Sequence, residues 1–288
     1  MAFWVIQTLW LLNKPTTEPL LRRRFLKPFW IMSKLSIVKV GGNVIENETV
    51  LLPFLQGFAN LSGPKILVHG GGKKASQWAE RLGIPVQMNA GRRITDTDTL
   101  ELITGIYAGQ VNKSIVATLQ GLDCNAIGLS GADGNAIQAI KRPVAAIDYG
   151  WVGNVASVNT PFFTQLLNQG LSPVCCALTH DGKGQLLNTN ADTIASQLAV
   201  ALSKQFEVNL YYCFEQLGVL QSLEDPNSLI ENIDTKKYKE LLDQKIIHQG
   251  MLPKMKNAFD ALNQGVSKVA IGKPEMISSS IKHTSITL

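Results

Sequence analysis

The sequence predicts an α/β fold built on a parallel sheet with helices on both faces. Two strand-like runs, "LSIVKVGG" at 35–42 and "KILVHGGG" at 65–72, each end on glycine, and the second leads straight into a helical stretch. Beyond them, short β-branched runs keep alternating with segments of helical period, the pattern of βα units. With 288 residues, 45% hydrophobic and 17% charged, the chain can build one large domain or two lobes, and it lies outside the compositions of disordered or fibrous proteins.

Taken in order, "KKASQWAERLG" (73–83) reads as a helix closed by Gly83. "TDTDTLELITGIYAGQVNKSIVATLQGLD" (95–123) opens on the capping-type residues Thr95 and Asp96 and runs amphipathic, as one or two helices. "NAIGLSGADG" (125–134) is a strand followed by a glycine loop, and "AAIDYGWVGNVASVN" (145–159) alternates around Gly153-Asn154, a hairpin or edge-strand signal. "TPFFTQLLNQG" (160–170) is a helix capped by Thr160, with Pro161 in its first turn and Gly170 as its stop. "SPVCCAL" is a buried strand, "THDGKGQLLN" a hairpin-like loop, "TNADTIASQLAVALS" a helix and "EVNLYYCF" the next strand. Two helices, "DTKKYKELLDQKII" and "PKMKNAFDALNQG", flank the turn "HQGML", and "SKVAIG" (267–272) closes the regular part. No internal repeat or low-complexity linker separates the two halves, which read as lobes of one continuous sheet.

The formal charge of +5 comes from one end. Residues 1–34 hold six Lys/Arg against one acid, and the remainder is balanced, so the body has no excess charge for nucleic acid. Residues 1–33 read as an extension outside the fold, with Met32 placed like a second start just before the first strand. A targeting or docking segment is the other reading. Its apolar "FWVIQTLWLL" is shorter than the ~18–20 residues a membrane span needs and lacks a preceding positive region. Cys124, Cys175, Cys176 and Cys213 form no CxxC pair and have no His at metal-ligand spacing; they read as inert core thiols of a cytoplasmic protein.

Gly70-Gly71-Gly72-Lys73-Lys74-Ala75 satisfies the G-x-G-x-x-A spacing of a dinucleotide site. That reading also needs an acid at the next strand end, and the acids in range, Asp96 and Asp98, sit at a helix start. A G-x-x-x-x-G-K-[ST] loop occurs nowhere. What remains is a glycine turn after a strand, occurring twice, at Gly41-Gly42 and at Gly70–Gly72. Each alone suits a tight turn. Together, at one edge of a parallel sheet and with Lys39 nearby, they suit an anion with several charged oxygens. Asn188, Asn190 and Asp192 crowd the start of one helix, more small polar groups than a cap requires. Lys254 opens another helix, where the dipole disfavours a cation unless an anion compensates it or the side chain reaches solvent.

Six motifs in order make the chain resemble the amino acid kinase family over about 34–275: "VKVGG" (38–42), "VHGGG" (68–72), "GRRIT" (91–95), "GLSGADG" (128–134), "GQLLNTNAD" (184–192) and "GMLPK" (250–254). "NAGRRIT" is similar to the substrate-arginine region of the branch that acts on N-acetyl-L-glutamate. The resemblance implies a three-layer αβα sandwich around a mostly parallel sheet of about eight strands. It also implies ATP-dependent phosphorylation of that substrate's side-chain carboxylate, a step of arginine biosynthesis. Residues 34–205 would form the lobe for the acyl-amino acid and for a homodimer contact, and 206–288 the nucleotide lobe. Lys39 and Lys254 would stabilise the transferring phosphoryl group, with Asp192 orienting both. Gly71, Gly72, Arg93, Asn188 and Asn190 would serve the substrate. Gly41, Gly42, Glu215, Gly218, Val219, Leu220 and His248 would serve phosphoryl or nucleotide groups. ATP would bring magnesium held mainly by its own phosphates. The implied partners are small molecules, with no nucleic acid and no membrane.

Two departures bear on this. Phe214-Glu215 stands where the family pattern has Ser/Thr-Asp, lengthening a carboxylate and removing a hydroxyl on the nucleotide side. Arg92 replaces an apolar residue beside the substrate arginine, which leaves N-succinyl-L-glutamate open as an alternative substrate. A non-catalytic sensor is the reading from another class. Arginine-inhibited relatives in the family join dimers into hexamers through an extra N-terminal helix, and Pro15, Pro19 and Pro28 argue against one continuous helix here.

Overall fold

β1 (Lys34–Val40) carries Leu35, Ile37, Val38 and Val40 at 0% exposure, so it is buried on both faces, as a central strand of a parallel sheet must be. It lies at the middle of the computed structural model, which describes residues 33–89, 91–222, 224–225, 227–247 and 251–288. β1 runs into α1 (Gly42–Glu46) and α2 (Glu48–Asn60), and the wholly buried β2 (Lys65–His69) runs into α3 (Gly72–Leu82). Gly83 ends α3 in the left-handed region at φ 68°, the role its sequence position predicts.

A two-stranded ribbon follows, β3 (Met88–Asn89) and β4 (Arg92–Arg93). Then α4 (Thr97–Thr104), a π-helical stretch (Gly105–Val111) and α5 (Asn112–Gln120) run on without a break. Asp96 is the N-cap of α4, its side chain accepting from Thr99 N–H; Thr95 instead bridges to Gly150, so only one of the two expected caps acts as one.

β5 (Ala126–Leu129), β6 (Ile137–Lys141) and β7 (Gly153–Val158) lead to α6 (Thr160–Asn168). Gly153-Asn154 starts β7, which pairs antiparallel with β6 across residues 142–152 and forms the edge of the second sheet, the hairpin or edge strand that the sequence suggests. The cap of α6 is Asn159, not Thr160: its carboxamide oxygen accepts from Phe162 N–H, one residue earlier than the sequence suggests. β8 (Ser172–Cys175), β9 (Leu178–His180), β10 (Leu186–Asn188) and α7 (Ala191–Leu202) come next. The remaining elements are β11 (Glu207–Cys213), β12 (Asn232–Ile233), α8 (Thr235–Asp243), α9 (Met251–Asn263), β13 (Lys268–Gly272) and β14 (Thr284–Ile286). The regular part therefore does not close at β13. β14 returns antiparallel to it, with Thr284 and Ile286 buried, and β12 joins β14 at the sheet edge.

The described residues form an eight-stranded sheet in the order β12-β14-β13-β11-β1-β2-β8-β5, as expected in size. β13, β11, β1, β2, β8 and β5 are mutually parallel. The chain leaves β1 toward β2 through α1 and α2, then returns to β11 on the opposite side of β1 through α7. Right-handed crossovers travelling in opposite directions put their helices on opposite faces, which makes the three layers. A second sheet, β10-β9-β6-β7, stands beside the main one. All four cysteines are buried free thiols, and burial pushes Cys176 up to about 12.

Candidate active site

Register brings four strand ends to one line. Val40 lies opposite both His69 and Cys213, and Cys213 opposite Gly272, so β1, β2, β11 and β13 finish at the same carboxyl edge. β1 is also where the chain order reverses, the position at which open α/β sheets bind ligands. The Gly41-Gly42 and Gly70–Gly72 turns both emerge there. Gly42 and Gly72 are the first residues of α1 and α3, so each presents helix N-terminal N–H groups.

Asp192 sits in the first turn of α7, placed there by Asn190, whose carboxamide oxygen accepts from Thr193 N–H as the N-cap. Its Oδ2 accepts from Lys254 Nζ at 2.5 Å, and its Oδ1 lies 2.7 Å from Lys39 Nζ. The Lys39 contact is close but off-axis: Oδ1 receives no well-directed hydrogen bond among the described residues. Burial pushes the Asp192 carboxyl up, but the two ammoniums outweigh it and hold it well below the usual carboxylate range. The three groups, from β1, α7 and α9, leave one net positive charge in a largely buried setting. Asp192 is also the anion that Lys254 needs at a helix N-terminus.

A cavity of about 690 Å³ opens beside this cluster and brings together Lys39, Gly71, Gly72, Arg93, Asn188, Asn190 and Asp192. Arg93 is 8% exposed; its Nη2 donates to Gly72 O at 2.9 Å and to Ser76 Oγ at 2.6 Å, while Nη1 is buried with no partner among the described residues. Asn188 Nδ2 donates to Thr95 Oγ1 at 2.9 Å, which ties β10 to the segment after Arg93. Gly71 packs under Tyr107, where a Cβ would stand 2.6 Å from Cδ1 of the ring. The π-helical stretch widens the helix at this point and delivers Tyr107 to the cavity.

The residues that the family resemblance would assign to the nucleotide lie differently. Glu215 lines a smaller cleft of about 230 Å³ with Asn43, Phe214 and Lys273. Gly41 lines neither cavity and donates its N–H to Cys213 O at 3.0 Å. Gly218, Val219 and Leu220 also line neither; Val219 N–H donates to Thr284 Oγ1 at 2.8 Å, and Leu220 bridges to Leu229. Their backbone is spent on β14 and its neighbour. His248 and the extension 1–32 lie outside the described residues. Sequence reasoning missed Ser76, Tyr107 and Arg142, all on the cavity wall. None of the three stands in a motif that marks it, and Arg142 merely follows Lys141.

The fold and this site define a class: residues 34–273 match the amino acid kinase family, and the chain belongs to that family. Among its relatives, the acetylglutamate kinase of Cytophaga hutchinsonii is 53% identical over 247 residues, covering 85% of this chain and 94% of that protein. The acetylglutamate kinase of Phocaeicola vulgatus is 52% identical, covering 83% and 93%. The crystal structure of smu.665 from Streptococcus mutans superposes with a TM-score of 0.72 at 26% identity, covering 88% of this chain and 98% of that one. A carbamate kinase from Giardia lamblia bound to AMP-PNP shares the fold at a TM-score of 0.65 and 12% identity, covering 88% and 98%.

Proposed function

We propose that this chain transfers the γ-phosphoryl group of ATP to the side-chain carboxylate of N-acetyl-L-glutamate, an early step of arginine biosynthesis. A carboxylate oxygen attacks the γ-phosphorus, the bond to the β,γ-bridging oxygen breaks, and N-acetyl-L-glutamyl 5-phosphate and ADP result. The observation that carries this reading is Asp192 held between Lys39 and Lys254, at a sheet edge where two glycine turns meet. The names of the relatives at 53% and 52% identity support the substrate.

The chemistry needs no general base, because a carboxylate of pKa ~4.3 is already ionised at neutral pH. The difficulty is bringing one anion to another, so positioning and charge stabilisation dominate. Lys39 and Lys254, kept in place by Asp192, face the transferring group. Backbone N–H groups at Gly42, Gly71 and Gly72 donate to its oxygens or to those of the attacking carboxylate. Arg93 takes a second carboxylate of the substrate, with Asn188 beside it. Glu215 and Lys273 mark the nucleotide side, in the 206–288 portion.

No cluster of three His, Cys, Asp or Glu side chains suited to a metal occurs among the described residues. Of the two carboxylates on the cavity wall, Glu46 and Asp192, the latter is already occupied by two lysines. Magnesium therefore fits as an ion carried by the nucleotide phosphates, whose charge it would neutralise. A homodimer and a cytoplasmic setting complete the reading; no described helix is long and apolar enough to cross a membrane. ADP release in a coupled assay with ATP, magnesium and N-acetyl-L-glutamate tests the function. A chain that binds the amino acid without releasing ADP is a sensor instead.

A further inference from the structure

Tyr107 reaches the cavity wall from the π-helical stretch between α4 and α5, with its ring over Gly71 and only 4% of its surface exposed. A plain phenyl ring would fill that space equally well. The hydroxyl is the part that packing does not explain.

Its position is specific. A Cβ at Gly72 would stand 3.9 Å from the Tyr107 oxygen, so the hydroxyl reaches past Gly71 to the last glycine of the turn. Arg93 Nη2 donates to the carbonyl of that same glycine at 2.9 Å, so guanidinium and phenol meet at one residue. Arg93 gives its directed hydrogen bonds to Gly72 O and Ser76 Oγ. The Tyr107 hydroxyl makes no well-directed bond among the described residues, yet it is not sealed inside the protein. A phenol placed in this way forgoes a hydrogen bond that an acceptor in the cavity would restore. Burial raises the Tyr107 pKa and the neighbouring Arg93 charge offsets only part of that, so the group is a protonated donor at neutral pH.

We propose that Tyr107 is a specificity-determining residue whose hydroxyl donates to the non-reacting carboxylate of the acyl-glutamate, the same carboxylate that Arg93 takes. This rests on the kinase reading above and adds a second recognition element to it. Arg93 supplies charge, and the phenol supplies a neutral donor whose direction is set by the packing of its ring over Gly71. A carboxylate offers two oxygens to two donors, whereas a carboxamide offers one oxygen and brings N–H groups of its own. The pair therefore selects a free acid over its amide.

The test compares Tyr107→Phe with the wild type on N-acetyl-L-glutamate and on its 1-amide, which keeps the reacting side-chain carboxylate, with ATP and magnesium. Phe retains the ring over Gly71, and an unchanged thermal midpoint verifies that the variant is folded. KM for the acid should rise about fivefold, with kcat changed less than about twofold and KM for ATP unmoved. The preference for acid over amide should fall by a similar factor. Tyr107→Phe combined with Arg93→Lys should raise KM by less than the product of the separate effects, because both act on one carboxylate. A wild-type KM in Tyr107→Phe, an acid-to-amide preference that it leaves unmoved, or effects that multiply in full overturn the assignment and leave the kinase reading standing. Equal use of acid and amide by the wild type also overturns it, and that comparison needs no variant to fold. A wild type that phosphorylates neither compound overturns the kinase reading and this assignment with it.

Discussion

Asn112 donates its side-chain amide to Nε2 of His69 at 3.0 Å, which leaves Nδ1 as the ring nitrogen that carries the proton. Nδ1 in turn lies 2.7 Å from Gly70 O, so a neutral imidazole holds the first peptide of the glycine turn. Asn112 is fixed by its second N–H, given to Val174 O at 2.9 Å. The chain thus uses a histidine beside its glycine turn as a brace and not as a base.

That brace sets an acid limit. Burial lowers the His69 pKa from 6.5 to about 4, so between those values the unfolded chain binds a proton that the folded chain refuses. Stability is full above pH 6.5 and is lost as pH falls toward 4, by about 3 kcal/mol for the whole window. Urea midpoints measured from pH 7 to 4.5 should fall in the wild type and fall less in His69→Gln. Asp192 acts lower: its stabilisation is present above the unfolded value of 3.8 and is lost only as pH drops below it.

Lys39→Ala and Lys254→Ala should each lower kcat by about 10²–10³, the cost of losing one preorganised charge at a transition state. Steady-state rates at saturating ATP and acyl-glutamate check this. Near-normal turnover in both variants would remove the cluster from the mechanism.

Gly71→Ala places a Cβ 2.6 Å from the Tyr107 ring, which cannot yield without shifting the π-helical turn. We expect kcat/KM to fall about tenfold or more through displacement of the loop N–H groups. Combining it with Tyr107→Val, which removes the ring, should restore part of that loss. No restoration would mean that the ring is not what the methyl meets.

Arg93→Lys keeps the charge but gives up the fork that spans Gly72 O, Ser76 Oγ and the cavity. KM for the acyl-glutamate should rise about tenfold, with a smaller change in KM for ATP. Equal effects on both would place Arg93 outside the amino-acid side of the site.

The sequence displayed what depends on local signals. Gly83 stops its helix where a left-handed residue is needed, and the strands that end in Gly41 and Gly70 lie side by side. Caps were legible to one residue: Asn159 and Thr160 are both capping types, and only the backbone entry decides between them. β14 is three residues long, and its identity as a strand comes from pairing with β13, which nothing in "TSI" announces. The same holds for the cavity. Lys39, Arg93 and Asp192 stand in recognisable motifs, whereas Tyr107 arrives through a π-helical register that leaves no mark in the sequence. Arg142 arrives through the packing of the second sheet.

The charge cluster at Asp192 is assembled from distant parts of the chain: a strand near residue 39, a helix start at 192 and a helix start at 254. Without α9 in place, Lys39 and Asp192 form a neutral pair with nothing left over for an incoming anion. The surplus cation exists only once the last third of the chain has docked. The cluster itself is therefore neutral until α9 is in place, and its surplus charge is a property of the finished fold.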